Sequence, residues 1–127
     1  MLSTMQDFPL TISAILRYAT AVHGDRLVIT ATGDGGYRQA NYAEVGKRAA
    51  QLANALRRLG VDGDERVATF MWNNQEHLEA YIAIPSLGAV LHTLNIRLFP
   101  EQIEFVAYEA EDRIVIVDSS LAGLLAP

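Results

Sequence analysis

RVATFMWNNQEHLEAYIAIPSLGAVLHTLNIRLFPEQIEFVAYEAEDRIVIV, residues 66–117, decides the fold. Arg66 to Met71 is rich in β-branched and aromatic side chains, which predicts a strand. Asn73 followed by Glu76 has the spacing of a capping box, so a helix should start near Asn74. Leu78, Tyr81, Ile82 and Pro85 lie on one helical face, and Pro85 should kink the helix late. Gly88 ends it, and Ala89-Val90-Leu91-His92 begins a second strand. Pro100 suits the first turn of another helix, whose buried side is Ile103, Val106, Ala107 and Ala110. Arg113 to Val117 closes the run as a third strand, with the apolar continuity of one buried on both faces. The order is β-α-β-α-β. Right-handed crossovers make the three strands parallel. Ligands of such sheets bind outside the carboxyl ends of the strands, here Trp72-Asn73, Thr93-Leu94-Asn95 and Asp118-Ser119-Ser120.

Upstream, the periodicity of Ile12, Ile15, Leu16, Ala19 and Val22 predicts a helix over Thr11 to Val22, stopped by Gly24-Asp25. Leu27-Val28-Ile29 reads as a short strand. Gly33-Asp34-Gly35-Gly36 supplies positive-φ positions for a hairpin turn, and a strand at Tyr37 to Ala40 should pair back. Asn41 and Glu44 form a second capping box. Val45, Ala49, Leu52, Ala53, Leu56 and Leu59 are the apolar stripe of the helix that follows, and Gly60 stops it. The expectation is an α/β fold: a three-layer unit with a mainly parallel sheet from about residue 66, plus an N-terminal helix and β-hairpin. Residues 1–127 make one domain.

Composition limits the function. Half of the 127 residues are apolar, 20% are charged, and the formal net charge is −5. An acidic chain lacks the basic face that nucleic acid requires. Lys47-Arg48 and Arg57-Arg58 read as solvated pairs on a helix. There is no cysteine, so no disulfide or thiolate metal site can form, which fits a reducing cytoplasm. No signal peptide is legible. The most apolar stretch, Tyr81 to Leu91, is far shorter than the ~20 residues a membrane span needs. Peripheral membrane contact stays compatible with that.

Residue by residue, the candidate chemistry is sparse. Gly33 to Gly36 lacks the lysine of a P-loop and the spacing of a dinucleotide fingerprint. Of His23, His77 and His92, only His77 has other ligand types nearby, Glu76 and Glu79, and adjacent helical residues point in different directions, so no metal site is expected there. His77 is expected on the exposed side of its helix, and His92 in a hydrogen-bonded structural role. Glu101, Glu104, Glu109, Glu111 and Asp112 read as a solvated acidic patch, with Glu101 favoured by the helix dipole. Ser119-Ser120 has no paired base in sequence. Asn95 is expected to pin the crossover loop through backbone bonds, with direct ligand contact as the alternative.

Four runs carry a resemblance. They are Asn41-Tyr42-Ala43-Glu44-Val45, Leu59-Gly60-Val61-Asp62-Gly63-Asp64-Glu65-Arg66-Val67-Ala68, Trp72 to Tyr81, and Gly88 to Leu98. Together they resemble the start of the adenylate-forming (AMP-binding) acyl-CoA ligase superfamily, over about Met5 to Asp118. The last two runs are similar to the medium- and long-chain fatty acyl-CoA synthetase branch. Ile96 departs from it, since many relatives have proline there.

The resemblance implies activation of a fatty acid by ATP with Mg²⁺ to an acyl-adenylate, then transfer to coenzyme A. Such barriers fall through charge stabilisation at phosphorus. The family does this with a Ser/Thr/Gly-rich loop ending in Pro-Lys-Gly, a Tyr-Gly-x-Thr-Glu motif, a ribose-binding Asp and a late lysine. None occurs in these residues. The chain therefore reads as part of the N-terminal subdomain with the remainder of the enzyme absent, structural and inactive alone. No catalytic, cofactor-binding or metal-binding residue carries over. The resemblance also implies a homodimer formed through the N-terminal domain, with the apolar stretch Met5 to Leu10 as a contributor. Two alternatives stand beside it: a stand-alone interaction or dimerisation module, and a ligase for an aryl or short-chain acid.

Overall fold

Strand β3 (Arg66–Phe70) is the buried centre of a parallel sheet ordered β4-β3-β5, with β4 at Val90–Thr93 and β5 at Ile114–Val117. Val67 is opposite Leu91 on one side and Ile114 on the other. This is a computed structural model, and it describes residues 4–125. Successive side chains of a strand point to opposite faces. Val67 accordingly joins Leu56, Ala80 and Ile84 in one cluster, and Ala68 and Phe70 join Leu94, Ile103 and Leu121 in the other. Helices α2 (Tyr42–Arg58) and α3 (Gln75–Ser86) build the first cluster, and α4 (Pro100–Glu109) builds the second. Two helical layers with a sheet between them give the three-layer α/β architecture expected above.

The N-terminal elements lean on the α2–α3 layer. Helix α1 (Ile12–Val22) is capped by Thr11, whose side chain accepts from the Ala14 N–H. It crosses α2 closely: a Cβ at Gly46 would fall 2.5 Å from the Thr20 methyl carbon. A side chain there would have to push α1 away. Strands β1 (Leu27–Ala31) and β2 (Tyr37–Asn41) pair antiparallel, with Ile29 opposite Gln39. The hairpin turn forms as expected, yet only Gly35 of its four residues has a positive φ, at 84°.

Several local expectations need correction. The cap of α3 is Asn74, not Asn73; its Oδ1 accepts from the His77 N–H at 2.9 Å. Helix α3 buries Gln75, His77, Glu79, Ala80, Ala83 and Ile84, and leaves Tyr81 exposed. Its buried side is thus turned away from the Leu78–Tyr81–Pro85 stripe. The reason is non-local: Arg48 of α2 supplies a partner that allows Glu79 to be buried. Leu59 is 63% exposed, because α2 ends at Arg58 and the chain turns at Gly60. Strand β5 is not covered on both faces; it stands at the sheet edge with Val115 37% exposed. Asp112 is no solvated acid, since its side chain is buried against His92, with Oδ2 2.8 Å from Nδ1. Glu111 reaches Arg66 at 2.6 Å. Pro85 sits next to the last residue of α3.

Candidate functional site at the carboxyl ends of the strands

Parallel packing brings two of the three expected strand ends together. Trp72, Asn73 and Asn74 follow β3, and Asp118 and Ser120 follow β5. With Thr30 to Gly33 and Arg38 of the hairpin they line an open cleft of ≈ 540 Å³. Thr93-Leu94-Asn95 does not line it. Leu94 turns into the cluster beneath α4, and Asn95 Oδ1 accepts from the Arg97 N–H at 3.0 Å. That bond is the loop-pinning role expected of Asn95.

The floor of the cleft is a closed hydrogen-bond network. Ser120 donates from Oγ (2.7 Å) and from its N–H (3.0 Å) to Asp118 Oδ1. Asn74 Nδ2 donates to the other carboxylate oxygen at 3.2 Å, and the indole N–H of Trp72 donates to Ser120 Oγ at 3.0 Å. The Ser120 hydroxyl, then its N–H, hold the Asp118 carboxyl below the usual carboxylate range. A carboxylate engaged this way by donors stays ionised. The network ties the loop after β3 to the loop after β5. Sequence reasoning named Ser119-Ser120 without a partner, and the partner is the adjacent Asp118.

Beside the floor lies a second network, between the hairpin, α2 and α3. Arg38 pairs with Glu76, and Arg48 Nε donates to Glu79 Oε1 at 2.6 Å. Gln75 Nε2 donates to the same Glu79 oxygen at 2.7 Å. The Gln75 N–H donates to Thr30 Oγ1 at 3.0 Å. Arg38 holds the Glu76 carboxyl below its ordinary value of 4.5. Arg38 was not singled out from sequence, and Arg48, read there as half of a solvated pair with Lys47, is instead the partner of the buried Glu79. No pattern pairs residues 31 or 38 positions apart, so only the tertiary fold reveals these bonds.

His77 departs furthest from expectation. It is 7% exposed, under the loop, with Nε2 3.0 Å from Thr69 Oγ1. Its Nδ1 is buried without a hydrogen bond of full geometry. The Tyr81 ring lies against it, centroids 4.9 Å apart. Burial pushes the imidazole below its ordinary value, opposed by a weaker pull from the Trp72 backbone.

This arrangement is a brace, and it does not suit a nucleoside triphosphate. Among the described residues Arg38 is the one cation lining the cleft and is engaged by Glu76, while Asp118 presents negative charge. Phosphate recognition needs free cations or a cradle of free backbone amides. At the N-terminus of α3 the Gln75 N–H is taken by Thr30 and the His77 N–H by Asn74. Among the described residues no three His, Asp or Glu side chains stand together as metal ligands. None of their helices is long and apolar enough to cross a membrane.

Residues 16–126 match the family described as AMP-binding enzyme. The long-chain-fatty-acid–CoA ligase of Thermus thermophilus is 42% identical over 123 residues, 97% of this chain. The medium-chain-fatty-acid–CoA ligase of Ectopseudomonas oleovorans is 39% identical, and the 3-methylmercaptopropionyl-CoA ligase of Ruegeria lacuscaerulensis 36%, each over 126 residues and 99% of this chain. In all three the match spans 23% of the relative's length. Among solved structures, a Mycobacterium tuberculosis fatty acyl CoA synthetase superposes with a TM-score of 0.79 at 26% identity, covering 91% of this chain and 22% of that one. The anthranilate CoA ligase AuaEII in complex with anthranoyl-AMP gives 0.82 at 27% identity, covering 95% and 23%.

Proposed function

Because the chain belongs to the AMP-binding enzyme family, we propose that it is the N-terminal segment of an ATP-dependent, AMP-forming acyl-CoA ligase for medium- or long-chain fatty acids. The observation that carries this is high identity to two fatty-acid–CoA ligases over nearly the whole chain and under a quarter of their length. CoA ligases of this family use ATP and coenzyme A; Mg²⁺ would accompany the ATP. In this reading residues 1–127 are a single domain of the N-terminal subdomain, and their work is mechanical. The braced cleft and the sheet position elements that lie elsewhere in the enzyme, and the catalytic groups lie there too. A cytoplasmic homodimer with at most peripheral membrane contact goes with the reading. The dimer is supported by the exposed apolar side chains of α1 and the hairpin, since such patches favour association.

Pyrophosphate release by the full-length ligase, assayed with ATP, Mg²⁺ and a panel of carboxylic acids, tests the reading. Medium- and long-chain fatty acids should stimulate it, and no stimulation by any of them would overturn the assignment. The isolated 127 residues should release none, and adenylation by them would overturn the scaffold role. A second reading, a short-chain acid as substrate, is supported by the 36% identity to 3-methylmercaptopropionyl-CoA ligase. The same panel separates the two.

A further inference from the structure

His77 stands at the junction of β3, α3 and the loop Trp72-Asn73-Asn74. Two facts about it are geometric. The ring is buried, and it has one good partner, Thr69 Oγ1. A neutral imidazole needs one donor or acceptor contact at each nitrogen. An imidazolium needs two acceptors. Thr69 Oγ1 can serve as one, and Nδ1 has none of full geometry. A proton added at Nδ1 would therefore create a buried, charged N–H whose available acceptor, the Trp72 backbone, lies outside full hydrogen-bond geometry, which is more costly than an unmet lone pair.

The charged groups nearby offer no relief. On α3, Glu76 is engaged by Arg38 of the hairpin and Glu79 by Arg48 of α2. Beyond β5, Asp118 is engaged by Ser120 and Asn74. From β3 the ring meets the Thr69 hydroxyl, and along α3 the Tyr81 ring. The group able to accept is the Trp72 backbone, which already favours the protonated ring. Moving it means moving the loop.

We propose that His77 is a proton-operated switch of the loop Trp72-Asn73-Asn74, so that protonation of the buried imidazole rearranges the segment that lines the cleft. The loop is also held by the Trp72–Ser120 and Asn74–Asp118 bonds. Its rearrangement would therefore uncouple the end of β3 from the end of β5. Asp118 and Glu76 both titrate below the usual carboxylate range. Between pH 7.5 and 5 neither carboxylate drives a change at this site.

The test uses the chain's single tryptophan. Its indole N–H gives one cross-peak in a ¹H–¹⁵N spectrum, and the structure bonds that N–H to Ser120. In the 127-residue chain the indole peak should shift along the same curve as the His77 ring protons, with a common midpoint below pH ~6.5, the ordinary histidine value. In His77→Gln, which keeps a neutral polar group, the shift should be lost from pH 7.5 to 5. An indole shift that persists in H77Q overturns the switch. So does an indole peak that stays still while His77 titrates, or a collapse of the whole amide spectrum at the same pH. Should H77Q fail to fold, the wild-type curves decide: coincident midpoints support the switch and separate midpoints overturn it.

Discussion

Helices α3 and α4 cover opposite faces of the same sheet and obey different rules. Helix α4 buries Ile103 and leaves Glu101, Glu104 and Glu109 to solvent. Its acidic side chains all stay outside, although Phe105 and Tyr108 are exposed with them. Helix α3 buries Gln75, His77 and Glu79 together with Ala80, Ala83 and Ile84. Its polar side chains go inside because they find partners there: Arg48 from α2 meets Glu79, Gln75 donates to the same carboxylate, and Thr69 from β3 meets His77. Burial of a polar group is tolerable when it is bonded. The lesson is that which face of a helix is buried depends on what meets it, and a weakly amphipathic helix is free to follow its partners.

The largest effect should come from the apolar part of that contrast. Ile84 on α3 is fully buried in the central cluster, and Phe105 on α4 is 63% exposed. Ile84→Ala should destabilise by about 2–5 kcal/mol through lost transfer energy and a residual cavity. Phe105→Ala should stay within about 0.5 kcal/mol. Urea midpoints of the two variants measure the gap. Equal midpoints would break the comparison.

Glu79→Ala comes next and sharpens the polar part. It leaves the buried Gln75 amide without its acceptor and frees Arg48, whose guanidinium can turn to water because it is partly exposed. The loss should be about 1–3 kcal/mol, the range for a buried group left unpaired. The matching change on α4, Glu104→Ala, should be near zero. Adding Arg48→Ala to Glu79→Ala in a double-mutant cycle then shows how much belongs to the ion pair and how much to Gln75.

These two helices also mark what could be read from residues alone. The succession of strands and helices along the chain, the parallel direction of the three strands, the hairpin and the start of α4 at Pro100 were legible, because each rests on local patterning or a turn residue. The misassigned cap of α3 was a one-residue ambiguity between two adjacent asparagines. Asn74 prevails because Gln75 is already helical and its N–H is taken by Thr30. The buried side of α3 was illegible, since Arg38 and Arg48 lie far from Glu76 and Glu79 in sequence. Val115 was misjudged for a related reason: a run of Ile and Val describes a strand, and only the neighbouring elements decide how much of it is covered. At the candidate site, both strand ends that line the cleft were named in advance. The bonds that close it, from Trp72 and Asn74 to Ser120 and Asp118, were not.

Capping offers a finer test. Helix α3 has a side-chain cap from Asn74, and the cap residue of α4 is Phe99, whose ring accepts no such bond; there Gln102 Oε1 receives the Phe99 N–H instead, at 3.1 Å. Asn74→Ala should cost about 0.5–2 kcal/mol, toward the upper end because its amide also serves Asp118. Gln102→Ala removes one exposed bond and should cost less. Thermal midpoints of the pair rank the two caps, and the reverse order would mean that α4 depends on its first turn more than α3 does.

The smallest effect concerns Arg38 and Glu76, at the exposed margin of the α3 network. Both side chains are more than a third exposed, so solvent screening holds the pair to about 0–1 kcal/mol. The sign follows from the carboxylate. Arg38 lowers the pKa of Glu76 from its ordinary 4.5, so the folded state binds that proton less tightly than the unfolded state. The contribution is present in full above 4.5 and is lost as pH falls through the lower folded value. Arg38→Ala should therefore reduce stability slightly near neutrality and flatten the acid limb of the stability curve. Arg48, 3.9 Å from the other oxygen of Glu76, should keep part of the slope. Urea midpoints taken from pH 7 to 3 for the parent and the variant give the difference. An unchanged acid limb would place the pair's entire worth in holding the hairpin against α3, not in the charge of Glu76.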